Sequence, residues 1–112
     1  MSYYILKEDN EIEEVEDMTA WAEWRKDNAH KCCVANDRYD KKGFWPFFRK
    51  DHVVISTVFV GLTVFDDAWG AFETIVFDKN GDAIIELRYS TYKEAFKGHS
   101  TLRREYKFKL NN

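Results

Sequence analysis

The chain is poor in the residues that mark non-globular proteins, with one proline, five glycines and two cysteines among 112 residues. Because 45% of the residues are hydrophobic and 33% are charged, collagen-like, low-complexity and intrinsically disordered chains are excluded. No hydrophobic run approaches the about 20 apolar residues that a membrane helix requires. The longest, residues 53–65, is interrupted by Ser56, Thr57 and Thr63. We therefore expect no membrane contact.

The N-terminus lacks the basic start and the small-residue cleavage site of a secretory signal. The length matches the usual size of one domain, about 100–150 residues. We therefore expect a single domain over residues 1–112 that resides in the cytoplasm.

The two cysteines, Cys32 and Cys33, are adjacent in the chain. Neighbouring residues of a strand point to opposite faces, so the two thiols do not readily share a metal ion. A bridge between them would be strained, and no second pair completes a zinc site. The sequence predicts reduced thiols, no metal and no cofactor.

Charge is unevenly distributed along the chain. Residues 1–20 carry seven acidic residues and one base, whereas residues 88–109 carry seven bases and two acids. The net charge of −3 argues against non-specific nucleic-acid binding, which usually requires a basic domain. The oppositely charged ends are expected to lie near each other, as solvated faces of one fold.

The pattern of apolar residues predicts an α+β fold. Five segments read as strands, namely 3–6, 31–39, 52–65, 71–77 and 83–89, with a tight turn at Asn80-Gly81. Asp17 is placed to cap a helix over residues 18–27, and Thr91 with Glu94 forms the capping box of a second helix. Short connections favour an antiparallel meander sheet of about four strands, with an N-terminal helix and a C-terminal helix packed on it.

The second helix has one apolar face and one glycine inside it. Its apolar residues recur every three or four positions, at Tyr92, Phe96, His99, Leu102 and Tyr106. Gly98 costs about 1 kcal/mol relative to alanine in a helix. The helix therefore either breaks at Gly98 or is approached closely there by another group.

Several motifs occur in a characteristic order. Residues 56–62 read STVFVGL, residues 72–77 read FETIVF and residues 88–95 read RYSTYKEA, followed by Gly98-His99. This order resembles a family of small uncharacterised proteins from tailed bacteriophages and prophages, with the pattern STVFxGL…FETxVF…RYSTxxEAxxGH. The resemblance covers most of the chain and implies a phage origin, but it supplies no biochemical activity.

The chain departs from that family pattern in the segment that follows Gly61-Leu62. An Asp-His pair usually follows the Gly-Leu of the family, whereas Thr63 and Val64 stand here. Residues 65–70 replace a proline-rich loop, and the aromatic segment 44–48 is particular to this sequence. An activity that depends on the Asp-His pair is therefore not expected for this chain.

Three residues are candidates for chemistry or for a buried pair. Glu73 lies among Phe, Ile and Val in a strand, so a buried Glu73 needs a partner, and His99 or Arg88 can supply it. In the structural interpretation, Glu73 belongs to a buried pair and His99 is a hydrogen-bonded core residue, or Glu73 is exposed and has no special role. The chemical alternative is a general acid–base pair of Glu73 and His99.

A second group of candidates is suited to binding. The aromatic and basic side chains in it are Phe44, Trp45, Phe47, Phe48, Arg49, Lys50 and Trp69, with Arg88 as a further cation. They either form a surface that binds a partner or pack in the core and under loops with no binding role. We favour a phage accessory protein that binds a host protein or a nucleotide signal, most concretely to inhibit an antiviral defence system. The alternative is a small enzyme or nucleotide-binding domain with a site of Glu73, His99 and Arg88.

The strand pattern also bears on assembly. Both faces of residues 52–65 and 71–77 are largely apolar, whereas a sheet with one solvated face alternates cleanly. One helix is enough to cover one face. We therefore expect a homodimer or a larger homo-oligomer to bury the other face, unless the first helix covers it.

Overall fold

The computed structural model describes residues 1–41, 51–64 and 68–111 and confirms the α+β fold class. Its strands are β1 (Ser2–Leu6), β2 (Ile12–Val15), β3 (Cys33–Lys41), β4 (Asp51–Phe59), β5 (Leu62–Thr63), β6 (Phe72–Phe77) and β7 (Ala83–Tyr89). Its helices are α1 (Met18–Asp27), a short 3-10 helix (Ala29–Cys32) and α2 (Tyr92–Asn111). The aromatic segment 44–48, Arg49 and Lys50 lie outside the described residues.

The larger sheet has four antiparallel strands in the order β3-β4-β6-β7. Directly paired residues share a face, so the register defines two faces. The helix face carries Ile55 and Thr57 opposite Val76 and Thr74, and α2 packs on it. The second face carries Val54, Ser56 and Val58 opposite Phe77, Ile75 and Glu73. The predicted four-stranded meander is therefore present.

A second sheet of three strands, in the order β2-β1-β5, was not predicted. It arises because the strand predicted over residues 52–65 breaks: β4 ends at Phe59, and β5 pairs with β1 instead. Gly61 makes the break with a φ of +73°, in the left-handed region that favours glycine. The amides of Val60 and Gly61 both donate to the carbonyl of Ala71, at 2.8 and 3.1 Å.

The N-terminal helix has the predicted bounds and packs on the smaller sheet. The Asp17 carboxylate accepts from the Ala20 amide at 2.6 Å, which satisfies a free donor of the first turn. Arg25 donates to the carbonyls of Phe59 and Val60, at 2.8 and 2.7 Å. The helix therefore also holds the end of β4 in place through Arg25, at the point where the pairing of β4 stops.

The C-terminal helix begins at the predicted capping box. The Glu94 amide donates to Thr91 Oγ1 at 3.1 Å, and Thr91 Oγ1 donates to the Glu94 carboxylate at 3.0 Å. Among residues 92–107 of the helix, the buried ones are Ala95, His99 and Leu102. Phe96, predicted to be part of the apolar face, is 52% exposed and stacks on Tyr92 instead.

Gly98 does not break the helix but admits a close neighbour. The ring of Tyr89, from β7, packs over it so closely that a Cβ at position 98 would lie 2.5 Å from Tyr89 Cζ and closer still to the hydroxyl. The Tyr89 hydroxyl is buried and has no hydrogen-bond partner among the described residues. Of the two alternatives predicted for Gly98, a helix break or a close neighbour, the structure shows the close neighbour.

We expect Gly98→Ala to destabilise the protein. Overpacking costs about 1–3 kcal/mol, which opposes the about 1 kcal/mol that alanine gains as a helix former. The penalty should be smaller in a Tyr89→Phe background, which removes the hydroxyl nearest to the new methyl group. Urea unfolding of the wild type, Gly98→Ala, Tyr89→Phe and the double variant tests this. A Gly98→Ala variant as stable as the wild type would contradict the close packing of Tyr89 on Gly98.

Candidate functional site

The predicted residue His99 lies at the centre of a polar network inside the core. His99 Nε2 is 2.6 Å from the Asp37 carboxylate, and His99 Nδ1 is 2.7 Å from Thr57 Oγ1. Thr57 Oγ1 is in turn 2.5 Å from Thr74 Oγ1. The network connects α2 to three strands of the larger sheet. It matches the predicted hydrogen-bonded core histidine.

The order of donors in this network follows from chemistry. A carboxylate only accepts, so with a neutral ring Nε2–H donates to Asp37 and Nδ1 accepts from the Thr57 hydroxyl. Thr57 then accepts from Thr74, so every bond has one donor. Thr57 and Thr74 have no exposed surface, and His99 is 3% exposed. The arrangement resembles a nucleophile–base–acid relay, but its hydroxyl does not reach solvent.

The predicted residues Glu73 and Arg88 lie together on the second face of the larger sheet. Arg88 Nη2 is 3.3 Å from the Glu73 carboxylate and 3.2 Å from that of Glu86. Burial raises the pKa of Glu73 above its usual value; the Arg88 charge acts in the opposite direction, and Glu86 adds to the rise. Two carboxylates thus share one guanidinium, which leaves a net negative cluster.

The structure does not bring His99 to Glu73 and Arg88. Thr74, which belongs to the network of His99, is adjacent to Glu73 in β6, and adjacent strand residues point to opposite faces. The sheet therefore separates His99 from the Glu73–Arg88 pair. Sequence alone does not reveal this separation, because the side of the sheet that α2 covers depends on packing between distant segments.

Apart from this charged cluster, the second face is mainly apolar along its central strands, β4 and β6, whereas β3 contributes Asn36 and Arg38, opposite Ser56 and Val54. Its apolar side chains Val54, Val58, Ile75 and Phe77 are half-buried, and Ser56 is the central polar residue. Among the described elements, α2 packs on the helix face and α1 packs on the smaller sheet. Within the described ranges, no helix therefore runs along the second face.

Trp69 is the one predicted aromatic binding residue that the structure describes, and it is 49% exposed. The next residue, Gly70, has a φ of +88° and lies against Arg88, whose Cδ would be 3.7 Å from a Cβ at position 70. The structure thus places the loop of Trp69 beside Arg88, at the Glu73 end of the sheet. Phe44, Trp45, Phe47, Phe48, Arg49 and Lys50 are not among the described residues.

Sequence reasoning missed a pair of surface grooves on either side of Asn10 and Tyr92. One, of about 450 Å³, is lined by Leu6, Lys7, Glu8, Asn10, His30, Lys31, Cys33 and Tyr92. The other, of about 350 Å³, is lined by Asp9, Asn10, Glu11, Ile12, Ala68, Ser90, Thr91, Tyr92 and Lys93. The one available signal was Lys7, the sole base among the first 20 residues.

The raised pKa of Glu73 predicts a pH-dependent stability. Because the folded pKa lies above the ordinary 4.5, the native state holds this proton more tightly than the unfolded state. Stability is therefore lost as the pH rises from 4.5 through the folded pKa. Glu73→Gln removes this loss, so the variant should gain stability over the wild type as the pH rises to neutrality. Urea unfolding across this range measures the effect, and a stability difference that does not change with pH would contradict it.

No protein-family model, curated protein or solved structure matches this chain. Within residues 1–41, 51–64 and 68–111, no group of three His, Cys, Asp or Glu side chains is placed to hold a metal ion. None of the helices in these ranges is both long and apolar enough to span a membrane.

Proposed function

We propose that this chain is a phage-encoded accessory protein that acts in the cytoplasm of the infected bacterial host by binding a host protein. Its most concrete role is to inhibit an antiviral defence system. The phage origin rests on the resemblance of residues 56–62, 72–77 and 88–95 to the phage family pattern. The mode of action rests on the second face of the larger sheet.

The observation that carries the proposal is the composition of that face. Val54, Val58, Ile75 and Phe77 form an apolar centre along β4 and β6. At one end lies the Glu73–Arg88–Glu86 cluster, and Gly70, which follows the exposed Trp69, lies against Arg88. Tryptophan and arginine are the residue types most enriched among the dominant residues of protein interfaces. An apolar patch with such a rim is typical of a surface that binds protein.

The charges indicate what kind of partner this face fits. Glu73 and Glu86 together exceed the charge of Arg88, so this end of the face is acidic, whereas Arg38 adds a cation at the β3 edge. A complementary partner presents apolar side chains flanked by lysine or arginine, since complementary potentials favour encounter.

A binding function is favoured over the alternative enzyme site because the three residues of that site, Glu73, His99 and Arg88, already have structural partners. Both ring nitrogens of His99 are within hydrogen-bond distance of Asp37 and Thr57. Arg88 and Glu73 pair with each other on the second face of the sheet. A general acid–base pair needs both groups at one reacting centre.

A phage-restriction experiment tests the proposal. The chain is expressed in bacterial strains that each carry one defence system, and plaque formation by a restricted phage is counted. We expect the wild type to relieve restriction in one of the strains. The variant Val54→Thr/Ile75→Thr should lose this relief at least tenfold, because it removes apolar surface with residues that still favour strands.

The matched control is Leu87→Thr, which changes a 40%-exposed residue on the helix face of β7. It should relieve restriction as the wild type does. If no strain is relieved, or if the double threonine variant remains fully active, the proposed function is wrong.

The predicted homodimer or larger assembly is a competing proposal for the same face. Sedimentation at micromolar concentration separates the two occupants. A monomer of 13.4 kDa leaves the face to a host partner. A dimer that Val54→Thr/Ile75→Thr converts to monomer assigns the face to a second copy.

A further inference from the structure

The groove of about 450 Å³ beside Asn10 and Tyr92 combines cationic side chains with an apolar wall. Lys7, His30 and Lys31 line it, and we refer to it as the basic groove. Tyr92 supplies apolar surface to the same groove, and Leu6, which is 3% exposed, also lines it. Its volume falls within the about 300–1,000 Å³ of small-molecule sites.

The cations of the basic groove are not used within the fold. Lys7, His30 and Lys31 form no ion pair or side-chain hydrogen bond in the part of the chain that the structure describes. Glu8 also lines the groove but pairs with none of them. All seven acids of residues 1–20 follow Lys7 in sequence, so Lys7 does not belong to a basic segment.

The backbone that carries these cations is held by hydrogen bonds. In the turn between β1 and β2, the Lys7 amide donates to the Glu11 carbonyl at 2.8 Å, and the Asn10 amide donates to the Lys7 carbonyl at 3.0 Å. Asn10 adopts a φ of +67° to complete this turn. The Lys31 amide donates to the Asn28 carbonyl at 2.9 Å, which fixes the 3-10 helix on the other side.

Tyr92 provides an aromatic surface at the edge of the basic groove. Its ring packs edge-on against Phe72, with the ring centroids 6.1 Å apart, and stacks on Phe96, with the centroids 6.3 Å apart. The core and α2 therefore fix the position of the ring. Tyr92 also lines the neighbouring groove and is only half-buried. A flat ring of a ligand can therefore pack against its remaining surface.

We propose that the basic groove binds a nucleoside phosphate. The phosphates contact Lys7, His30 and Lys31, and the nucleobase packs against Tyr92. Phosphate fits because it carries several negative charges and only acceptor oxygens, which match three donor side chains. The groove has room for a nucleoside beyond the phosphates, and its apolar wall has no counterpart in a bare anion.

Calorimetric titration with ADP, adenosine and inorganic phosphate tests the site. We expect ADP to bind with a Kd below about 1 mM, and adenosine and phosphate to bind at least tenfold more weakly. Binding should weaken as the ionic strength rises, because exposed charges are screened. Tyr92→Leu should weaken ADP but not phosphate, since it removes the aromatic wall.

Charge variants locate the binding. Lys7→Glu/Lys31→Glu should reduce ADP affinity at least tenfold, whereas Lys26→Glu/Lys97→Glu, which makes the same change of net charge on α1 and α2, should not. All four positions lie at the protein surface or near it, so thermal melting should confirm that both variants fold. Absence of ADP binding, equal binding of ADP and phosphate, or equal loss in both variants would overturn the proposal. None of these outcomes depends on the host partner of the second face.

Discussion

Replacement of His99 by leucine is expected to lower the free energy of unfolding by about 2–4 kcal/mol. The substitution removes the hydrogen bonds to Asp37 and Thr57 while it retains apolar bulk in the core. Each buried polar group that loses its partner costs about 1–3 kcal/mol. Thr57 has no exposed surface, so water cannot replace the lost bond there. Urea unfolding measures the loss.

The same substitution at His30 provides the control, because His30 is exposed and His30→Leu leaves the core unchanged. Thr57→Val adds a second test: the double variant His99→Leu/Thr57→Val should lose less than the sum of the two single losses, since both partners of one bond are absent. If His99→Leu unfolds at the same urea concentration as His30→Leu, the network does not stabilise the fold.

Gly61→Ala is expected to be comparably damaging, at about 2–5 kcal/mol. A residue with a side chain costs about 1–2 kcal/mol in the left-handed region, where Gly61 lies. The new Cβ would also be 2.6 Å from the Tyr4 carbonyl oxygen and 2.9 Å from both Phe59 and Trp21. Because the first of these is backbone, the clash cannot be relieved by a rotamer change, and overpacking adds about 1–3 kcal/mol.

Gly81→Ala separates the two contributions. Gly81 has a similar φ of +82°, but nothing lies within 4 Å of a Cβ there. It should therefore show the backbone cost alone, about 1–2 kcal/mol. Thermal and urea unfolding of the two variants side by side give the steric part as a difference. Equal losses in both would show that the contact with Tyr4 does not constrain the chain.

Much of the fold could be predicted because its signals are local. Asp17 and Thr91 set the starts of both helices, as predicted. The Glu94 carboxylate accepts from the Thr91 hydroxyl rather than from a backbone amide, so the second half of the predicted capping box differs. The hairpin turn at Asn80-Gly81 also forms, although only Gly81 adopts a positive φ. Such features depend on groups within four residues of one another, so the sequence specifies them directly.

The smaller sheet could not be predicted because its signals are non-local. In β2 the two central residues, Glu13 and Glu14, are exposed, and only Ile12 and Val15 are half-buried. Nothing in that short stretch favours a strand until β1 pairs with it. The pairing of β5 with β1 likewise depends on the break at Gly61 and on a contact between segments about sixty residues apart.

The candidate site shows the same division. His99 was predicted as a core residue from its place on the helix, but its partner Asp37 is 62 residues away. The available signal was the alternation in β3, which puts Asp37 on the same face as Ala35 and Tyr39. The basic groove could not be predicted from a sequence pattern, because its residues come from a turn, a 3-10 helix and the start of α2.

The adjacent cysteines give the protein a built-in chemical reporter. Cys33 is exposed, whereas Cys32 is buried in the core beside Leu6 and Phe59. Burial raises the pKa of the Cys32 thiol, against a smaller opposite effect of Arg25, and so keeps it in the unreactive form. A thiol reagent should modify Cys33 at once and Cys32 only when the core opens. The slow phase of alkylation therefore measures how often the native protein transiently exposes its interior.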